Sequence, residues 1–548
     1  MALLAVSLVT YPSAVQAGGE DPPEVALGGR LFLETRFAQY FFAHSKGKIN
    51  APLAQGDPVM EKSATTGDPL AGPFSGQSMN CRACHLVNEF RETPGIRSYA
   101  DFARRSPIPA REDGLVTTAR NSPPLVTAAR KENCKGVLHL DGQFATMLDL
   151  VETTYTGRNF GWMPDERATA IRHFARVIRE DDGSSPVAQD RSMGYSYSVL
   201  FSSAQEDIFR KLRLPESYRL EVGTATDEQI FERACQLVAA YVESLKFRAN
   251  RRGEFDASPY DAFLKKNGLA RAPRPIAPGL LEKESDLSYA RYLRKAIDSL
   301  ADPQWVGALE GRYFTHHQEF KFGPEELAGL KIFLVEAPAG ADATSANHFG
   351  NCIQCHAPPS FTDFGFHNTG ATQEEYDSLH ETGAFARLLV PDFDTRNKDY
   401  DGSLPPTPSH PRACGRFASA PDSQRVDRTD LGVWNVFANP DIPNPQARLR
   451  QLLFVAGAEN SEEAILNRSI ACFKTPSLRD LGHGAPYLHN GSKNTIEDVL
   501  QFYRDFSELA RKGLVRNADP HLGQIFLDSS DLPQITAFLQ SLNEDYDD

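Results

Sequence analysis

Apolar side chains recur along much of this chain at intervals of three and four. In "DERATAIRHFARVIRE" the positions Ala168, Ile171, Phe174, Ala175 and Ile178 form one stripe, and in "DEQIFERACQLVAAYVESL" Ile230, Ala234, Leu237 and Tyr241 form another. Each predicts an amphipathic helix buried along one face. Near the C-terminus Ile496, Val499, Leu500 and Tyr503 repeat the spacing behind Thr495, with Asp498 three residues later, as at a capped helix start. Alternating strand patterns are sparse. Breaks rich in Pro and Gly at 271–279 ("RAPRPIAPG") and 405–415 ("PPTPSHPRACG") predict linkers or long loops, the first of them an inter-domain connection. The pattern predicts a mainly α fold with long irregular loops.

Length agrees with two units. At 548 residues the chain exceeds the roughly 250 to 300 at which single cores stop growing. The expected domains are 18–270 and 280–548. Hydrophobic residues make up 41% and charged residues 24%, and no later apolar run approaches the ~20 residues of a membrane span. A net charge of −14 argues against nucleic acid or an anionic membrane as partner and suits a basic electron carrier better. The opening "MALLAVSLVTYPSAVQA" reads as the apolar region of a signal peptide over 1–17, with Val15 and Ala17 where a signal peptidase inspects, although a basic leading region is missing. It predicts export to the periplasm.

Cysteine spacing supplies the chemistry. "CRACH" (Cys81, Cys84, His85) and "CIQCH" (Cys352, Cys355, His356) are two C-x-x-C-H pentapeptides. Such a pentapeptide attaches c-type haem: the thiols form thioethers with the porphyrin vinyl groups and the histidine ligates iron. A zinc knuckle wants a second pair of ligands nearby, and a redox C-x-x-C needs no histidine. Two covalent haems c are therefore expected, in agreement with export to an oxidising compartment. Of the other cysteines, Cys235 falls on a helical stripe and reads as a buried thiol, whereas Cys134, Cys414 and Cys472 lie in loop-like contexts, with a Cys414–Cys472 disulfide left open. The methionines are Met1, Met60, Met79, Met147, Met163 and Met193, so the second haem has no methionine ligand in its own half.

The segment "CFKTPSLRDLGHGAPYLHNGSKNTIEDVLQFY" resembles the bacterial dihaem cytochrome c peroxidase and MauG family, with its T-P-[ST]-L-R, A-P-Y-x-H-[DN]-G-S and T-[LI]-E-[DE]-V run. "RNSPPLV" at 120–126, "LDG" at 140–142, "FGPEELAGLKIF" before the second haem motif and "FTDFGFHNTG" after it agree. The first 60 residues and much of 190–310 look like additions to the family pattern.

The resemblance implies roles. Ordinary members ligate the second haem with a methionine fourteen residues beyond the A-P-Y-x-H histidine; counting from His489 reaches Tyr503, the residue type of the MauG-like branch. Tyr503 is thus the expected second axial ligand opposite His356, the alternative being a core tyrosine. A phenolate is a hard donor that stabilises ferric and higher states. Ordinary members also close the first haem with a histidine about sixteen residues past the motif; the count reaches Asp101, so an open first haem is expected. Glu152 is the candidate acid–base group for peroxide cleavage there, with Glu166 second; the alternative for each is a surface carboxylate. Where the family has a relay tryptophan in F-W-D-G, this chain has Leu140, and Gln143 replaces the usual Arg. Trp162 or Tyr155 are possible substitutes, Trp162 being more often a core residue. A calcium ion held by Asn121 and the carbonyls of Gly484 and Pro486 is also implied.

The expected function is a periplasmic dihaem c-type oxidoreductase. It reacts with hydrogen peroxide at the His85 haem and shares the oxidising equivalents over both irons in a high-valent, bis-Fe(IV)-like state. Its electron donor, whether a small cytochrome, a protein side chain or a small molecule, is unknown. The alternatives are a cytochrome c peroxidase needing prior reduction, an electron carrier whose first haem is closed by His139 or His173, and an oxygenase like the dihaem rubber-cleaving relatives.

Overall fold

The computed structural model describes residues 21–60, 78–85, 96–97, 105–126, 137–185, 188, 194–203, 212–276, 282–314, 316–338, 340–341 and 348–547. The expected signal segment, Asp101, Cys134 and Met193 lie outside them. Helices dominate, and the strands among the described residues are two-residue pairs: Ile96–Arg97 with Tyr546–Asp547, and Phe366–His367 with Phe473–Lys474, both antiparallel.

The first core is built from α1 (Pro23–Phe32), α2 (Met147–Tyr155), α3 (Arg167–Glu180) and α4 (Asp227–Ser244). The predicted stripe of α4 is buried as expected, and Thr226 caps the helix through reciprocal bonds with Gln229. On α3 the stripe is rotated slightly: Ala168 is exposed, while Ala170, His173 and Val177 join Ile171, Phe174, Ala175 and Ile178 inside. Phe37 lies flat on Phe174 with ring centroids 3.7 Å apart.

A second core begins with α5 (Pro259–Lys266) and continues through α6 (Asp286–Asp298), α7 (Pro324–Leu334), α8 (Ile496–Arg511) and α9 (Asp531–Gln540). This moves the division between units. Phe255 belongs to the first core and Tyr260, Phe263 and Leu264 to the second, so the chain crosses at 256–259 and the Pro-rich stretch from 271 lies within the second unit. A third cluster, mostly from 366–472, joins the second unit and includes Val137 from the first.

The two units repeat one packing device. A Cβ on Gly28 of α1 would stand 2.1 Å from the Leu237 carbonyl oxygen of α4, and one on Gly329 of α7 would stand 1.9 Å from the Gln534 carbonyl oxygen of α9. Only glycine lets those helices cross so closely. The flanking sequences match as well: Gly28-Gly29-Arg30-Leu31-Phe32 and Gly329-Leu330-Lys331-Ile332-Phe333 share the pattern G-x-[RK]-[LI]-F. This is an internal repeat beyond the two haem motifs.

Candidate haem sites

Each cysteine pentapeptide is anchored to the end of its glycine-bearing helix. The Cys81 N–H donates to the Phe32 carbonyl and the Asn80 side chain to that of Leu33, at 3.3 and 2.9 Å. In the second unit Gly350 and Asn351 donate their N–H groups to the carbonyls of Ile332 and Val335, at 3.1 and 2.9 Å. An asparagine precedes both motifs, so the repeat is N-C-x-x-C-H.

The two histidines are oriented alike. His85 donates from Nδ1 to the Pro123 carbonyl at 3.1 Å, and His356 from Nδ1 to the Phe361 carbonyl at 2.9 Å. A backbone partner on Nδ1 fixes the tautomer and leaves Nε2 with the lone pair a metal uses. Burial favours the neutral imidazole, lowering His85 to about 4 and shifting His356 the same way. All four motif thiols are free and half-buried, with burial pushing Cys81 and Cys352 up to about 12. Two neutral thiols and an imidazole with its outer nitrogen anchored fit covalent haem at both places.

Tyr503 lies at the second motif. It sits on α8, whose Thr495 cap and Asp498 partner form as the spacing predicts. Burial first, then the adjacent Cys355 and Cys352 thiols, push its phenol well above the ordinary tyrosine value. His367, also beside Cys355, is clamped between Asp519 (Nδ1 to Oδ2, 2.6 Å) and Asp363 (Nε2 to Oδ2, 2.9 Å) and is held in its charged form.

The segment Arg120-Asn121-Ser122-Pro123 joins the two units residue by residue. Pro123 holds His85, and the Ser122 hydroxyl faces the Cys84 thiol. Asn121 donates its N–H to the His489 carbonyl at 2.7 Å and its side-chain amide to the carbonyls of Pro486 and Leu488, at 2.8 and 3.0 Å. Arg120 bridges Asp141 of the first unit and Asp430 of the second. His489 in turn stacks on Phe473, with centroids 3.6 Å apart and planes 13° from parallel. Phe473 pairs with His367, which reaches Cys355. Contiguous contacts thus run from the first motif to the second.

Several expected roles need correction. Glu152 ion-pairs with Arg167 of α3 at 3.7 Å and faces Glu232 and Cys235 of α4; burial raises its carboxyl, but its partners are helix neighbours, and the side chain of α2 that reaches Cys81 is Tyr155. Glu166 is bound by both arms of Arg111 (2.8 and 2.9 Å) and by the Met163 N–H, which holds it ionised. Trp162 is a core residue packed on Phe42, its indole N–H donating to Phe37. His173 is occupied by the Arg36 carbonyl at 2.7 Å. His139 stands close enough to His85 to oppose its protonation. Cys414 and Cys472 are both free thiols, the first exposed and the second buried.

Of the expected calcium ligands, Asn121 and Pro486 meet directly: Asn121 turns its NH₂ toward the Pro486 carbonyl at 2.8 Å, and its Oδ1 accepts the Arg105 N–H at 3.2 Å. Asn121 and Pro486 meet as a hydrogen-bonded clasp between units.

No family model matches the chain. A cytochrome-c peroxidase of Denitromonas iodatirespirans, IdrP2, is 26% identical over 194 residues, which are 35% of this chain and 36% of that protein. Over about a third of its length the chain is thus similar to a cytochrome-c peroxidase. A second one from the same organism, IdrP1, is 30% identical over 76 residues, 14% of this chain and 19% of the relative. The chain therefore aligns with about a third of the length of the first relative and about a fifth of the second. Among solved structures, the diheme peroxidase BthA from Burkholderia thailandensis has a TM-score of 0.41 at 14% identity, over 96% of this chain and 87% of that one. A MauG-like protein associated with microbial copper homeostasis has a TM-score of 0.40 at 14% identity, over 98% and 95%. Among the described residues no helix is long and apolar enough to cross a membrane.

Proposed function

We propose that this protein is an exported, dihaem c-type oxidoreductase of the MauG-like kind that reacts with hydrogen peroxide. The observation that supports it most is the placement of the half-buried Tyr503 near Cys352 and Cys355, in a half of the chain that contains no methionine. Relatives named cytochrome-c peroxidases point to the same chemistry.

Cys81, Cys84 and His85 would hold the first haem, and Cys352, Cys355, His356 and Tyr503 the second. The haems, when bound, supply peroxide reduction and electron storage. The chain's own residues set the conditions. The carbonyls of Pro123 and Phe361 orient the His85 and His356 imidazoles and would raise their basicity toward bound iron. Tyr503, kept neutral by burial, needs a cation of the strength of ferric iron to release its proton. The contacts through 120–123, His489 and Phe473 give a packed route by which oxidising equivalents can be shared without the usual tryptophan at position 140. The acidic surface suits a basic donor protein. Export to the periplasm rests on the leader pattern at 1–17 and on the covalent mode of haem attachment.

One observation favours a second reading. His139 stands near His85, and its coordination at the first haem would make the protein an electron carrier. Low-temperature EPR and optical spectra of the fully ferric protein, before and after one equivalent of hydrogen peroxide, separate these. Loss of both ferric signals without prior reduction is expected. Reaction only after one-electron reduction would make it a reductively activated peroxidase, and no reaction together with no cyanide binding would make it a carrier.

A further inference from the structure

A cluster of ionisable side chains lies apart from both haem motifs. His316, Asp480 and His483 each present one ligand atom, and these atoms all lie within 4.8 Å of one another. His316 comes from the loop before α7, and the other two come from the stretch just before Ala485-Pro486-Tyr487. His316 Nε2 is 2.8 Å from Asp480 Oδ1 and 3.3 Å from the Glu544 carbonyl oxygen, and its ring lies over His483 with centroids 4.3 Å apart. The backbone is shaped to permit this. A Cβ on Gly482 would stand 2.4 Å from His316 Nδ1 and 2.7 Å from the Asn543 side chain, so no other residue admits the ring. Asp480 itself adopts a left-handed φ of 59°.

The pairing of His316 with Asp480 leaves buried acceptors over. His316 and Asp480 are 8% and 2% exposed. Among the described residues Asp480 Oδ2 and Glu544 Oε2 are buried acceptors without a hydrogen-bond donor. The neighbouring Asp261 is already neutralised by Arg479 at 2.9 and 3.0 Å.

We propose that His316, Asp480 and His483 form a binding site for a divalent first-row transition ion of the zinc type. Two imidazole nitrogens and a carboxylate oxygen are donors such an ion takes, whereas calcium or magnesium would ask for an oxygen set. Asp480 Oδ2 is the unused acceptor that turns to the ion, and binding displaces the proton shared between His316 and Asp480. Ligands of a tetrahedral zinc lie about 3.3 Å apart, so binding spreads the His316–Asp480 pair from its 2.8 Å contact and draws in any pair of ligand atoms that stands farther apart, up to 4.8 Å. Three protein ligands leave one position to solvent. The site would tie the C-terminal residues Asn543 and Glu544 to the segment running into Pro486, where Asn121 clasps the two units.

The test uses the full haem-loaded chain, stripped with EDTA, dialysed against zinc chloride, desalted and analysed for metals. One zinc per chain above the iron content is expected, with a higher Tm in zinc than in EDTA. His483→Gln, at a half-buried position, is expected to keep the iron and lose the zinc, as is the isosteric Asp480→Asn. Absence of retained zinc in the unaltered protein, or zinc retained in both variants at the level of the unaltered protein, overturns the proposal.

Discussion

Tyr503 stands half-buried near Cys355, the second thiol of the second haem motif, and burial there holds its phenol neutral. Removing the hydroxyl should alter that site alone. In Tyr503→Phe the optical and EPR signature of one haem is expected to change and its potential to rise, because an oxygen donor that favours ferric iron is gone. Iron content and the other haem's spectrum should stay as they were. An unchanged second-haem spectrum would end the assignment of Tyr503 as ligand.

Gly329 tests the shared helix crossing. In Gly329→Ala the new methyl meets the Gln534 carbonyl at 1.9 Å, a backbone contact that cannot be relieved by a rotamer change. Overpacking of this kind costs about 1–3 kcal/mol. For a unit of this size that lowers Tm by about 2–4 °C per kcal/mol, read by calorimetry. Haem incorporation at Cys352 and Cys355 should fall with it, since α7 also anchors Gly350 and Asn351. A substitution at an exposed position of the same helix, such as Glu325→Gln, is the control and should leave both unchanged.

His173 sets a pH dependence. Burial in the first core lowers its imidazole to about 4, against about 6.5 in an unfolded chain. The unfolded state therefore takes up the proton first. Stability from this group is complete above about pH 6.5 and is lost as pH falls toward 4, with a limiting slope of about 1.4 kcal/mol per pH unit. His489, lowered to about 3 by burial, acts in the same direction. Thermal unfolding followed from about pH 7 to about pH 4.5 should show a steeper loss in the unaltered protein than in His173→Gln, which keeps a donor for the Arg36 carbonyl. Parallel curves would assign the acid lability elsewhere.

What the sequence by itself determined is what covalent spacing and helical period can encode. Cys81, Cys84 and His85, with their counterparts Cys352, Cys355 and His356, are local motifs, and a haem needs no distant residue to announce its attachment. The cap of α8 followed from Thr495 and Asp498, and of its expected stripe Ile496 and Leu500 are buried while Val499 and Tyr503 are half-buried. The G-x-[RK]-[LI]-F repeat around Gly28 and Gly329 escapes a reading of the sequence alone, because it looks like ordinary helix until the close approach of a second helix shows why glycine is needed.

Tertiary structure decided the rest, because partners distant in sequence choose which side of an element matters. Glu152 sits on a helix as expected, yet its neighbour Tyr155 turns to Cys81 while Glu152 turns to Arg167. Pro-rich composition marked a break after residue 270, but hydrophobic contact assigned α5 to the second core and moved the division to 256–259. The partners of Asn121, Arg105 on one side and Pro486 on the other, lie far apart in sequence, so its place as a clasp between the units is a product of the tertiary structure. His316 and Asp480 meet only because the C-terminal tail and the segment before Pro486 pack against the same loop, a juxtaposition that periodicity along one chain does not contain.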